Sequence, residues 1–211
     1  MNILNIGSGK IDFKRFEQLA NKNTIVCVDQ GYLDSECFEI SLIQKQISIR
    51  QNGIFFSNKS IFEFLDTFMF KCFNFVIADR IFEHMEYVGG EIGRLLEGLN
   101  TVTLQDSMLE IVVPNAALLA NLLLNYEKHS DEYSQSNAIN TKLILNTEFC
   151  NLKSDCHASI WTPTLALEYI NSEGTWLVDR IQNNYWFAGR DIYMKLTCIK
   201  TQQSKNNKTT K

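Results

Sequence analysis

The residues best suited to chemistry open the chain, in the run Leu4-Asn5-Ile6-Gly7-Ser8-Gly9-Lys10. Two glycines at the junction of a strand and a helix let a ligand approach the backbone, and the helix N-terminus offers it unpaired amide donors. Asp29 follows about twenty positions later, directly after a β-branched run, where a carboxylate can accept two hydrogen bonds from a ribose diol. Glycine turn and acid together point to an adenosine-type ligand. The alternatives are a tight turn that needs glycine conformations, and an aspartate that caps a turn. The glycine spacing narrows the ligand further. The third glycine of a dinucleotide fingerprint would fall at Asp12, and no G-x-x-x-x-G-K-[ST] phosphate loop is present. A ligand with a ribose and an amino-acid arm but no pyrophosphate fits this shorter loop.

Downstream, Asp79 ends a strong apolar run and His84 follows it within Phe82-Glu83-His84-Met85. An imidazole titrates near neutrality and can take a proton from an acceptor, so His84 is a candidate base, or else it orients the turn that carries it. His157, near Trp161, is the second candidate and would line an acceptor pocket, with ordinary loop packing as the alternative. Glu83 reads as structural. The histidines are too far apart in sequence to make an HxxxH pair and no CxxC occurs, so no metal site is expected. The GxSxG elbow of a hydrolase is also absent.

Positioning these groups requires alternating strands and helices. Asn2 to Ile6 reads as a strand, Asp12 to Ala20 as a helix with Phe13, Phe16 and Leu19 on one face, and Thr24 to Val28 as a second strand. This βαβ unit implies a parallel sheet buried on both faces. A strand is expected at Ile47 to Ile49, a helix over Ser60 to Phe68 with a Ser cap and Glu63 three residues on, and a strand at Phe73 to Ala78. Val88 to Leu99 reads as a helix, Leu109 to Val113 as a strand closed by Pro114 and Asn115, and Ala116 to Tyr126 as a helix. His129 to Asn140 reads as a mobile loop. Strands at Lys142 to Phe149, Thr175 to Ile181 and Asp191 to Ile199, with a helix at Pro163 to Ile170, complete the pattern. The expected fold is α/β, a doubly wound sheet with an antiparallel C-terminal edge.

Composition bounds the function classes. With two prolines and ten glycines in 211 residues, 45% apolar and 21% charged, the chain is neither fibrous nor disordered. One domain over residues 1–199 is expected, followed by a solvated Lys-rich tail over 200–211. That tail carries Lys200, Lys205, Lys208 and Lys211 without an acid, so the body ahead of it is more acidic than the net charge of −4 for the whole chain. An acidic body argues against nucleic acid as partner. The phenylalanines from Phe62 to Phe75 read as core rather than as a stacking platform. Six cysteines at irregular spacing read as buried free thiols. No signal peptide and no membrane-length apolar run are apparent, which implies a cytoplasmic protein without membrane contact. The oligomeric state stays open between monomer and homodimer.

With these motifs in hand, the chain resembles the class I S-adenosylmethionine-dependent methyltransferases of the small-molecule type. NIGSGK is similar to the family's first motif, TIVCVDQ to its second strand with the ribose-binding acid, FNFVIADRIFEHM to its fourth strand with the following Glu-His, and LEIVVPN to its fifth strand. HASIWTPTLALEYINSEGTWLV resembles the late region, where a His and a Trp-Thr-Pro precede a helix and the sixth strand. The resemblance implies a Rossmann-like, mostly parallel seven-stranded sheet and S-adenosyl-L-methionine as cofactor. It places Asn5, Gly7, Ser8 and Gly9 beside the methionine part and Asp29 on the ribose. Ser60 and Ile61 fall next to the adenine, and Ala78 and Asp79 near the transferred methyl. The sequence departs from the family at Asn5, where an acid is usual, at Ile11 for a third glycine, and at Ser60 for an adenine-side acid. The implied activity is methyl transfer to a small-molecule acceptor, on oxygen, with His84 or His157 as base. The rivals are a non-catalytic binding or scaffold domain and a nucleic-acid methyltransferase.

Overall fold

The computed structural model describes residues 1–7, 13–86, 90–129, 159–187 and 190–201. Among them are β1 (Asn2–Ile6), α1 (Phe13–Ala20), β2 (Thr24–Val28), α2 (Ile40–Ser48), β3 (Gly53–Ser57), α3 (Ile61–Thr67), β4 (Phe73–Asp79), α4 (Glu91–Val102), β5 (Thr103–Pro114), α5 (Ala116–His129), α6 (Pro163–Ser172), β6 (Trp176–Phe187) and β7 (Arg190–Lys200). The seven strands form one sheet in the order β3-β2-β1-β4-β5-β7-β6. The first five are parallel, and β7 runs antiparallel to both β5 and β6. This is the expected mostly parallel sheet with an antiparallel edge.

Alternation along the strands divides the core. Leu4, Ile6, Val26, Val28, Val76 and Ala78 belong to a large buried cluster that α3, α4 and α6 help close with Phe64, Leu95, Leu99 and Ile170. Ile3, Ile25, Cys27 and Ile77, on the opposite side of the same strands, meet Phe16 of α1. Val112 of β5 meets Leu119 of α5 and Tyr193 of β7. Burial on both faces explains why these strands read as unbroken apolar runs. Of the aromatic run, Phe64, Phe68 and Phe73 are buried in this core and Phe62 and Phe75 pack against it partly buried, whereas Phe70 is exposed.

Several boundaries differ from expectation, each for a local reason. Ile47 to Ile49 is no strand. Ile43 and Ile47 lie one helical turn apart and bury the same face of α2, which ends at Ser48. The third strand is instead Gly53–Ser57, aligned residue by residue with β2. Helix α4 begins only after Gly90, whose φ of 73° is left-handed, and runs on to Val102 because Leu99 and Val102 continue its buried face. Strand β5 begins at Thr103, ahead of the expected Leu109, and carries a register shift in which Asp106 adopts φ 62°. The candidate strand at Lys142 to Phe149 and the loop to Asn140 lie outside the described residues.

The solvated reading of Lys200 is also corrected. It is the last residue of β7, and its buried Nζ donates to Asn100 O at 3.0 Å, Thr103 O at 2.9 Å and Thr103 Oγ1 at 3.1 Å. The ammonium therefore caps the carbonyl end of α4, where positive charge is favoured. No helix among the described residues is long and apolar enough to cross a membrane.

Candidate functional site

The strand register assembles the site. Ser57, Val28, Ile6, Ala78 and Ile111 stand in one row across β3, β2, β1, β4 and β5. The next residue of each strand or loop is therefore Asn58, Asp29, Gly7, Asp79 and Val112, all at the carboxyl edge. With strands about 4.8 Å apart, Asn58 and Asp79 lie roughly 14 Å from each other. Between β1 and β4 the order reverses direction, and ligands of open α/β sheets bind outside the carboxyl ends at such a switch point. Residues remote in sequence thus share one edge because parallel pairing aligns their strand ends.

Gly7 sits at that switch point with φ 66°, its N–H donating to Val28 O at 3.0 Å. A Cβ added there would lie 3.0 Å from Ile81 Cβ, so both the conformation and the close approach of the chain after β4 require glycine. Ser8 and Gly9 lie outside the described residues. Asn5, two residues earlier, is buried, and its Nδ2–H lies 3.9 Å from Cys27 Sγ. Its Oδ1 accepts no hydrogen bond from the described residues. Burial pushes the Cys27 thiol up to about 12, against weaker opposing hydrogen bonds from Asn5 and Tyr32, so the sulfur stays protonated. Cys72 and Cys198 are likewise buried thiols pushed up to about 12, whereas Cys37 is half-buried.

Asp29 is half-buried, and its Oδ1 accepts the Gly31 N–H at 2.8 Å. This is the turn-capping geometry the sequence allowed as an alternative, yet a carboxylate offers about four acceptor positions, so capping and a diol are compatible. Asp29 N–H donates to Ser57 O, which ties the ends of β2 and β3 together. An open pocket of about 160 Å³ lies against these loops, lined in part by Asp34, Cys37, Phe38, Ser57 and Asn58.

Ser60 and Ile61, which the resemblance put beside the adenine, follow the end of β3 by three and four residues. Ser60 caps α3, its Oγ accepting the Glu63 N–H at 3.1 Å, and Ile61 is buried in the main core. The residue that directly follows β3 is Asn58, whose Nδ2 donates to Asp34 Oδ1. Sequence reading missed it because the third strand was placed too early; β3's end at Ser57 is the signal that finds it.

On the other side of the switch point, Ala78 is fully buried in the core and Asp79 is half-buried. Arg80 takes φ 56° and its N–H bonds to Val112 O at 2.8 Å, turning the chain so that Ile81 reaches Gly7. His84 ends the short 3-10 turn Phe82–His84 and is exposed at this edge. His157 lies outside the described residues. Trp161, four residues after His157, is only 1% exposed and packs edge-on against Phe82 with ring centroids 5.8 Å apart. Its size fills the core instead of lining an opening.

No family model matches the sequence, and no curated protein matches it. Solved structures do match. An N1-methyltransferase of 1,6-didemethyltoxoflavin from Burkholderia thailandensis, solved with that substrate and S-adenosylhomocysteine, superposes with a TM-score of 0.56 at 13% identity, over 95% of this chain and 71% of that one. An S-adenosylmethionine-dependent methyltransferase from Methanosarcina mazei gives 0.52 at 14% identity, over 94% and 92%. The dimethyltransferase of 8-amino-8-demethyl-D-riboflavin from Streptomyces davawensis gives 0.53 at 13% identity, over 95% and 50%. At these identities the likeness is one of fold, and the fold is that of the class I S-adenosylmethionine-dependent methyltransferases.

Proposed function

We propose that the chain binds S-adenosyl-L-methionine along the edge formed by Gly7, Asp29 and Asn58 and transfers its methyl group to an oxygen of a small-molecule acceptor. The observation that carries this reading is Asn5 Oδ1, a buried acceptor without a donor among the described residues, at the switch point of the sheet. Leaving such an atom unmatched costs on the order of 1–3 kcal/mol, a cost that a donor from a bound ligand offsets. An ammonium meets that need, although Asn5 brings no charge of its own. Gly7 keeps the backbone low beside it, and the Asp29 carboxylate suits a ribose diol. When bound, the sulfonium supplies an already activated methyl carbon, so the protein must chiefly align the acceptor and remove its proton.

In this reading His84, exposed in the turn that follows β4, takes that proton on a ring nitrogen. Asp79, the last residue of β4, lies at the same edge of the sheet. The acidic body favours a small acceptor over nucleic acid.

The second reading is a methyltransferase-like domain that binds without catalysis. It is favoured by Asp29 Oδ1 already serving its own turn and by the neutral Asn5 where the family has an acid. Titration calorimetry with S-adenosylmethionine separates the two. Heat with saturation is expected, and a folded protein giving none at high ligand concentration removes the transferase. A panel of acceptors followed by release of S-adenosylhomocysteine then identifies the substrate.

A further inference from the structure

Residues 159–161 form a closed set of contacts around the turn that carries His84. Ser159 N–H donates to Glu83 O at 3.0 Å, and Ser159 Oγ donates to Phe82 O at 2.9 Å. Trp161 Nε1–H in turn donates to Ser159 Oγ at 2.9 Å. The Trp161 ring braces Phe82, and Trp161 O accepts the N–H of Ala116, the first residue of α5, at 2.9 Å. The same segment therefore grips the loops after β4 and β5. Thr162 holds it from behind, capping α6 with Oγ1 on Leu165 N–H and with Pro163 in the first turn.

Stability alone does not ask for this arrangement. A tryptophan in a core needs one acceptor, and many backbone carbonyls would serve. Here the acceptor is a hydroxyl whose own proton is spent on the carbonyl two residues before His84. Its backbone amide holds the next carbonyl as well. Both oxygens lie in a 3-10 turn of three residues, too short to fix its own orientation.

We propose that Ser159 and Trp161 are positioning residues: through the Phe82 and Glu83 carbonyls they set where the His84 imidazole stands over the edge of β4. The proposal rests on the reading of His84 as the base. Neither residue touches the acceptor or the cofactor. Their effect is to keep one imidazole orientation populated, so that proton removal does not wait on a search among turn conformers.

The test uses the ring cross-peak of His84 in a heteronuclear NMR spectrum at fixed pH, assigned by its loss in His84→Gln. Ser159→Ala should broaden or split that peak, and Ser159→Thr, which restores a hydroxyl, should return it to a single sharp line. Trp161→Phe keeps a ring on Phe82 but removes the donor, and should disturb the peak less than Ser159→Ala. Amide exchange at His84 and Met85 should quicken in Ser159→Ala while that at Val76 and Leu109 does not, which marks a local release rather than a general loosening. A His84 peak that stays sharp and unmoved in Ser159→Ala, even with a lowered melting temperature, would overturn the proposal and leave the contacts a matter of stability. Calorimetry on the same proteins keeps the two ideas apart. Ser159→Ala should bind S-adenosylmethionine within about twofold of wild type, since Asn5, Gly7 and Asp29 are untouched. A wild type that binds none would overturn the transferase reading, and the role proposed for Ser159 and Trp161 with it.

Discussion

The two sides of the switch point are built by opposite means. On the β1–β2–β3 side, Asn5, Gly7, Asp29 and Asn58 come from the first sixty residues, and parallel pairing brings them to one edge. On the β4–β5 side, the His84 turn is held by residues some seventy-five positions away, through individual hydrogen bonds from Ser159 and a single aromatic contact with Trp161. The first side is determined by backbone periodicity and tolerates side-chain variation at its rim. The second depends on particular side chains, so single substitutions should affect it more.

The largest break is expected at Trp161→Ala. Emptying a fully buried indole site costs about 3–5 kcal/mol, to be read from denaturant unfolding. A loss under 1 kcal/mol would mean that the late segment is a passive cover, and the contrast between the two sides would fail. His84→Ala should lower turnover by about 10²-fold or more once an acceptor is known, with affinity for S-adenosylmethionine unchanged. A wild-type rate would move the proton to Asp79 or to water.

Asp29→Ala tests the local side. It should weaken S-adenosylmethionine by about 1–3 kcal/mol, on the order of 5- to 150-fold in Kd, and an unchanged Kd would show that Asp29 serves only the Gly31 turn. Ser60→Ala should cost about 1 kcal/mol of stability through the lost cap of α3 and leave the ligand Kd alone. A drop in affinity would restore Ser60 to the adenine edge.

The last test concerns Lys200. Burial, with Lys71 nearby, lowers this amine from its ordinary 10.5 to about 8. Between those values the unfolded chain binds more protons than the folded one, so stability should rise with pH from about 8 to 10.5. The burial cost is fully present below that window and is relieved across it. Stability curves measured along this range should flatten in Lys200→Met; an equal slope would place the titration elsewhere.

What the sequence made legible follows the same division. Asn2 to Ile6 and Thr24 to Val28 were readable to the residue because buried parallel strands are continuous apolar runs, and Ser60 with Glu63 announced the start of α3. Helix α2 was missed although Ile40, Ile43 and Ile47 carry its spacing, and that error hid both β3 and Asn58 behind it. The burial of Trp161 is not legible in the sequence, because a Trp-Thr-Pro pattern says nothing about the neighbour across the fold. Only the placement of Phe82 against it shows that the indole is core. Periodicity reports which face a residue occupies, whereas the contact between residues 82 and 161 is set by the tertiary fold.

The sheet order also dictates a sequence of events during synthesis. β7 follows β6 along the chain yet sits between β5 and β6. The parallel strands can pair as each emerges from the ribosome, but β6 has no strand to join until β7 has been made. Among the described residues β6 pairs only with β7, and β7 closes the edge of β5 by docking on it, which leaves that edge open to wrong partners until the residues up to Lys200 have emerged. The clasp of Lys200 on the end of α4 closes only after that docking, at the amino end of β5 and opposite the edge where the chemistry is proposed.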